Sequence, residues 1–328
     1  MVICLLLSCI FPCSELLPVA SAAPAHASNT KPDTRTINFP SSHSVGSVYV
    51  MPVKAKRVSL NYHFASAKNA VTATVPPNMI LLFASNQYAI LHPTLFNEVS
   101  AAGIDAVKFS FMSMDENEDG VCDKALPYAS HYSDASRLDI SESDASDAGI
   151  DSIKAMPKLR WLLAYSSSVR GSCLKKLDRF PKLNEIDLSN CAPFHQDDLK
   201  YLVKLHDLSK LELASSIISK EGVAQIAACK GLTYLNLSKN KAIDDSCLPL
   251  LLSLKNLDEL QLRETSVTAR GLLAFTDLKL TLIHLSTVRF SESDRKLLQK
   301  RFPKVRFKFY DEKLTTQTKQ FLQPVLGH

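Results

Sequence analysis

With 328 residues, 46% of them hydrophobic and 22% charged, the chain is long enough and apolar enough to bury a sizeable core. A formal net charge of +5 is mild for this length and makes no case for a nucleic-acid binder. After the N-terminal stretch no apolar run reaches the ~20 residues of a membrane-spanning helix, and 16 Pro and 9 Gly are ordinary or low. A polytopic membrane protein and a collagen-like chain are therefore excluded.

Residues 1–22 read as an export signal, with an apolar run from Val2 to Cys13 and then Ala20-Ser21-Ala22, the small-x-small pattern of a cleavage site. No basic residue follows Met1, which departs from that pattern. Leu6-Leu7-Ser8-Cys9 also resembles a lipobox, in which Cys9 would carry a lipid anchor, and a plain buried or interfacial segment is the third reading. Residues 23–36, rich in Ala, Ser, Pro and Thr, read as a flexible linker. Residues 37–78 read as a β-rich cap, because Ser47-Val-Tyr-Val50 and Ala70-Val-Thr-Ala-Thr-Val75 alternate apolar and polar positions.

From 79 to 310 the sequence repeats itself. The pattern L-x-x-L-x-L gives Leu159-Leu162-Ala164, Leu183-Ile186-Leu188, Leu208-Leu211-Leu213, Leu232-Leu235-Leu237, Leu257-Leu260-Leu262 and Leu280-Ile283-Leu285. Their starts are 24, 25, 24, 25 and 23 residues apart. Ala135-Leu138-Ile140, Ile104-Val107-Phe109 and Met79-Leu82-Ala84 extend the series backwards, with one longer step of 31 residues. Each unit also carries a ninth-position residue (Ser143, Ser167, Cys191, Ser216, Asn240, Thr265) and a later aliphatic anchor that opens a helical stretch (Ile150, Leu174, Leu199, Val223, Leu248, Leu272).

On these residues the chain resembles the leucine-rich repeat proteins with 24-to-25-residue units, of the bacterial exported type. The resemblance implies an α/β solenoid: a curved horseshoe with a parallel β-sheet on its concave face and helices on its convex face. Physically, the leucines of one unit cannot bury themselves alone, and stacking units makes one continuous core that needs capped ends. The small ninth-position residue is expected to hydrogen-bond backbone where the chain leaves each strand. Val305-Arg-Phe-Lys-Phe-Tyr310 reads as the last strand, and residues 311–328 as a tail. The stretch from Arg295 to Lys308 holds seven Lys or Arg and no acid, which suits a solvated cap or, alternatively, contact with an anionic surface.

Of eight cysteines, three (Cys4, Cys9, Cys13) fall in the signal, and no two of the others occupy equal offsets in adjacent units. Strands ~4.8 Å apart would demand such a pair for a bridge between units, so free buried thiols are expected. No nucleophile, zinc or phosphate-loop motif occurs in the sequence. The nearest chemical motif lies in the long step, Asp115-Glu-Asn117-Glu-Asp119-Gly-Val-Cys-Asp123, which matches the opening of an EF-hand-type calcium loop. Asp115, Asn117, Asp119 and Asp123 are its candidate ligands. Leu126 stands where the closing acid belongs, so Asp134 would have to complete the shell, and an acidic surface insertion is the alternative.

Alternation along the strands turns the third, fifth and seventh positions of each unit outward onto the concave sheet. That places Arg137, Trp161, Leu163, Tyr165, Glu185 and Asp187 together, with the single Trp of the chain at the centre. Exposed aromatics rimmed by charge are the chemistry of binding hot spots. The expected function is a non-catalytic, monomeric exported scaffold that binds a protein, peptide or glycan through this face. It has no transmembrane helix in the mature chain, no nucleic-acid partner and no cofactor other than calcium at the acidic loop. The alternatives are a substrate-recruiting adaptor for an enzyme on another chain and a structural envelope protein.

Overall fold

The computed structural model describes residues 32–112, 120–191, 193–275 and 279–311. The signal segment, most of the linker and the tail beyond Asp311 lie outside the described residues. The architecture is a leucine-rich repeat solenoid. Ten strands form its parallel sheet in chain order: β5 (Met79–Ser85), β6 (Ala106–Lys108), β7 (Arg137–Asp139), β8 (Trp161–Leu163), β9 (Glu185–Asp187), β10 (Lys210–Glu212), β11 (Tyr234–Asn236), β12 (Glu259–Gln261), β13 (Leu282–Ser286) and β14 (Arg306–Tyr310).

Four strands precede them: β1 (Asp33–Asn38), β2 (Gly46–Pro52), β3 (His63–Ser66) and β4 (Ala70–Val75). Strand β2 pairs antiparallel with β5 and β3 pairs with β2, so the cap closes the open sheet edge by hydrogen bonding, while β1 and β4 form a separate antiparallel ribbon. Strand β1 begins at Asp33, inside the stretch expected to be linker, because Thr34 and Thr36 pair across to Thr74 and Thr72 and Ile37 is buried.

The register of the repeats follows the leucine pattern. Leu138, Leu162, Ile186, Leu211, Leu235, Leu260 and Ile283 stand abreast on successive strands, and each is at most 1% exposed. The first unit differs by one residue. Val107 pairs with Phe83, not Leu82, and Phe83 points into the main core. Leu82 and Ile80 face the opposite side, where they pack with Met51 and Ala106. A strand buried on both faces reads as a continuous apolar run, which Met79-Ile-Leu-Leu-Phe83 is, and such a run gives no alternation to fix its register.

The convex side mixes short α-helices, such as Lys220–Ile226, with 3-10 stretches at Ser172–Arg179 and Gln196–Lys204. The ninth-position side chains hydrogen-bond strand-end carbonyls: Ser143 Oγ donates to Ile140 O at 2.7 Å, Ser167 Oγ to Ala164 O at 2.7 Å and Thr265 Oγ1 to Leu262 O at 2.7 Å. Just before them a left-handed residue recurs, at Glu142, Ser166, Asn190, Ser215, Lys239 and Glu264, with φ between 52° and 64°.

A second ladder runs along the helix starts. The Asp123 carboxylate accepts from the Ser146 backbone N–H and hydroxyl, Asp147 from the N–H groups of Arg170, Gly171 and Cys173, Gln196 from Ser219, and Asp245 from Thr268. Each acceptor satisfies donors that the next unit's helix leaves open. Close approach leaves no room beside it: a Cβ on Gly271 would lie 2.2 Å from the Asp245 carboxylate carbon. Ala for Gly within a helix ordinarily gains about 0.5–1 kcal/mol. Here Gly271→Ala is expected to lower stability by about 1 kcal/mol or more, since the methyl expels the capping carboxylate. Chemical denaturation of the two proteins checks the sign.

Candidate binding surface on the concave sheet

The third- and fifth-position side chains stand in the expected register: Arg137, Trp161, Glu185, Lys210 and Tyr234 in one row, and Asp139, Leu163, Asp187, Glu212 and Asn236 in the next. Arg137, Trp161, Leu163, Tyr165, Glu185 and Asp187 are thus neighbours, yet they are not an open patch. Arg137 is 4% exposed, Leu163 5% and Glu185 7%, while Trp161 and Tyr165 are half-buried.

The cover is the chain's own connection between β2 and β3. Residues 53–58 cross the concave face as a strap. Its underside is apolar: Val53, Ala55 and Val58, with Tyr62 just beyond it, pack on the cluster of Met51, Ile80, Leu82 and Ala106. Removing these side chains from water is what holds the strap down, at roughly 25 cal/mol per Å² of apolar surface. Its polar groups are met from below. Arg137 donates through Nη1 to Ala55 O at 2.7 Å and through Nη2 to Val53 O at 2.6 Å, and its guanidinium lies 4.6 Å from the Trp161 ring centre.

Further along the strap, Lys56 Nζ pairs with Glu212 and lies 3.7 Å from Glu185 Oε1 and 5.4 Å from the centre of the Tyr234 ring. The Arg57 guanidinium stacks 4.8 Å from the centre of Tyr165. Two clefts flank this contact. One, between the strap and Trp161, is lined by Lys54, Arg137, Leu163, Glu185 and Lys210; the other, of about 480 Å³, is bordered by Arg57, Tyr165, Asp187, Ser189, Ala214 and Asn236.

The electrostatics of this face are those of a partly dehydrated acidic bed. Lys108 Nζ lies 3.3 Å from Asp139 Oδ2, and Lys210 Nζ 3.6 Å from Glu185 Oε2. Burial raises the Asp187 carboxyl above the usual carboxylate range, against hydrogen bonds from Ser189. Burial also raises the Tyr234 hydroxyl, helped by Glu259, Asp187 and Glu185. Tyr234 and Glu212 lie in the outward rows that the repeat pattern predicts, whereas Lys56 and Arg57 of the strap do not follow from that pattern. The signal for Lys56 and Arg57 stands in Val53-Lys-Ala-Lys-Arg-Val58, which sets apolar residues among cations, but the strands this segment crosses cannot be read from a local pattern.

Of the calcium candidates, Asp115, Asn117 and Asp119 lie outside the described residues. The Asp123 carboxylate receives the backbone N–H and hydroxyl of Ser146 and so caps the next unit. Asp134, the proposed closing acid, pairs with Lys158 at 2.6 Å. Among the described residues no three His, Cys, Asp or Glu side chains are gathered to hold a metal. Cys122, Cys173, Cys191, Cys229 and Cys247 are free and buried, and burial pushes the Cys122 thiol up to about 12.

No protein-family model matches the chain. Among solved structures, internalin C2 from Listeria monocytogenes is similar over 64% of this chain and 82% of its own, at 15% identity and a TM-score of 0.43. Internalin F from the same organism is similar over 64% and 57%, at 18% identity and a TM-score of 0.37. The TLR13 chain of a TLR13–ssRNA13 complex aligns at 21% identity and a TM-score of 0.38, covering 46% of this chain and only 22% of that one. The periodic leucines, their common register across one parallel sheet and the hydrogen-bonded ninth-position ladder give this chain the fold of a leucine-rich repeat solenoid.

Proposed function

We propose that the protein is a non-catalytic, exported binding scaffold that grips a protein, peptide or glycan partner through its concave sheet, with Arg137, Trp161, Leu163, Tyr165, Glu185 and Asp187 forming the bed of the site. The observation that carries this reading is the density of aromatic rings and carboxylates on adjacent strands. Trp161, Tyr165 and Tyr234 stand among Asp139, Glu185, Asp187 and Glu212 on a rigid sheet with clefts on both sides of the strap. Rigid aromatic anchors rimmed by charge bind with little reorganisation. Export rests on residues 1–22, and no helix among the described residues is long and apolar enough to cross a membrane.

Two measurements test the reading. Truncating Tyr165 to Ala, on the open side of the strap, is expected to weaken a captured partner by roughly 2 kcal/mol, the range of a hot spot. A control change at Val203, 49% exposed on the convex side, should leave capture unchanged. Equal capture by both variants would move the site off the concave sheet. For export, N-terminal sequencing of the cell-associated and released protein should find the mature chain starting near Ala23, and an intact Met1 in the cytoplasm would favour the adaptor reading instead.

A further inference from the structure

The strap is bound to the sheet by the interactions that would recognise a foreign peptide. Main-chain carbonyls at Val53 and Ala55 are read by Arg137, an ammonium is read by Glu185 and Glu212 beside the Tyr234 ring, and a guanidinium is read by the face of Tyr165. Both carboxylate side chains are nearly buried, at 9% and 11% exposure, whereas Lys56 is 50% exposed and therefore the less committed partner. Arg137 has one donor left over: its buried Nε has no hydrogen-bond partner among the described residues. We propose, building on the binding reading above, that residues 53–58 are the chain's own occupant of a site for a basic peptide segment, and that a partner binds by displacing Lys56 and Arg57.

Charge decides the class of partner. Beneath the strap the sheet presents Asp139, Glu185, Asp187 and Glu212, and of its own cations Lys108 pairs with Asp139, Lys210 approaches Glu185, and Arg137 is turned to the strap carbonyls. With Lys56 and Arg57 lifted away, Glu212 loses its ammonium partner and Tyr165 its cation. Aromatic faces and carboxylates both favour cations, so an acidic or neutral segment would leave the nearly buried Glu212 without a cation. A segment carrying Lys-Arg, with its main chain turned just before the pair as at Val53-Lys54, would restore every contact.

The test uses the full chain and a synthetic peptide, Val-Lys-Ala-Lys-Arg-Val-Ser, which copies residues 53–59. Its binding is measured by calorimetry to the natural protein, to the Lys56→Ala/Arg57→Ala variant, and to that variant carrying Glu185→Gln and Glu212→Gln. The strap variant should bind the peptide at least about tenfold more tightly than the natural protein, since the internal competitor is weakened. The added glutamines should reverse most of that gain, and raised salt should weaken binding. Circular dichroism of each variant verifies folding, and Lys56→Gln alone provides a milder second case. Equal affinity of the natural protein and the strap variant, or indifference to the glutamines, would overturn the proposal. So would an all-Glu peptide that binds the natural protein and is lost on removing Lys56 and Arg57. If the basic peptide fails while Tyr165-dependent capture of a partner persists, this inference falls and the scaffold reading stands; if Tyr165-dependent capture itself is missing, the scaffold reading falls.

Discussion

Replacing Leu235 by Ala should lower the free energy of unfolding by about 2–5 kcal/mol, the cost of removing a core side chain and leaving a cavity around it. Leu235 is 0% exposed and stands between Leu211 and Leu260 in the row of inward residues that runs the length of the sheet. Relaxation cannot refill the space, because the flanking units are themselves held in register by the parallel ladder. Replacing its neighbour Asn236 by Ala should cost about 1 kcal/mol, since that side chain points outward and loses only a bond from the Ser238 N–H and a longer one to Glu212. Denaturant titration separates the two. Equal shifts in the midpoint would mean that the strand faces are assigned the wrong way round.

Asn240→Ala should be as damaging, for a polar reason. Asn240 is 1% exposed, and its amide serves two units at once: Nδ2 donates to Leu213 O at 2.8 Å and to Leu237 O at 2.9 Å, while Oδ1 accepts from Ile218 N at 2.8 Å and Ser216 N at 3.2 Å. Truncation strands several buried backbone groups, each costing about 1–3 kcal/mol, so a total loss of about 3 kcal/mol or more is expected. Asn240→Ser should recover part of it, because Ser143 and Ser167 at the same place in other units donate to the strand-end carbonyl. A serine variant no more stable than the alanine one would show that the ladder carries little of the stability.

Both predictions rest on features legible in the sequence, and it is instructive that their legibility has one cause. A residue that recurs every 24 or 25 positions must meet the same environment in each unit, so the inward row and the ninth-position ladder could be assigned from spacing alone. Where periodicity fails, so does the reading. The first unit slipped by a residue, because Ile80 and Leu82 are buried under the strap as Leu81 and Phe83 are buried in the core, and nothing in the run alternates. Arg137 was placed in the right row but taken as exposed. Its partners, Val53 and Ala55, are 84 and 82 residues away in sequence, and no local pattern announces a pairing at that distance. Asp123 reads within its own loop as a candidate calcium ligand, and its acceptance of Ser146 in the next unit is not legible there. Viewed across units, its equivalents Asp147 and Asp245 carry the same signal, since all three cap the helix that follows.

The strap also changes what the hot-spot pattern means. Exposed aromatics were expected at Trp161 and Tyr165, and both rings are instead engaged by cations, Arg137 from the sheet and Arg57 from the strap. On the displacement proposed above, the affinity for an outside segment would be reduced by the fraction of time the strap is seated.

Trp161 is the single Trp of the chain, and it lies against Arg137 beside the cleft under the strap, so its emission reports on this surface and on nothing else. The most direct measurement is acrylamide quenching of that emission in the natural protein and in a variant whose residues 54–58 are replaced by glycine and serine at equal length. The seated strap predicts weak quenching in the natural protein and markedly stronger quenching in the variant, at unchanged circular dichroism. Equal quenching in the two folded proteins would contradict it, since Trp161 would then be open to solvent without any strap to lift.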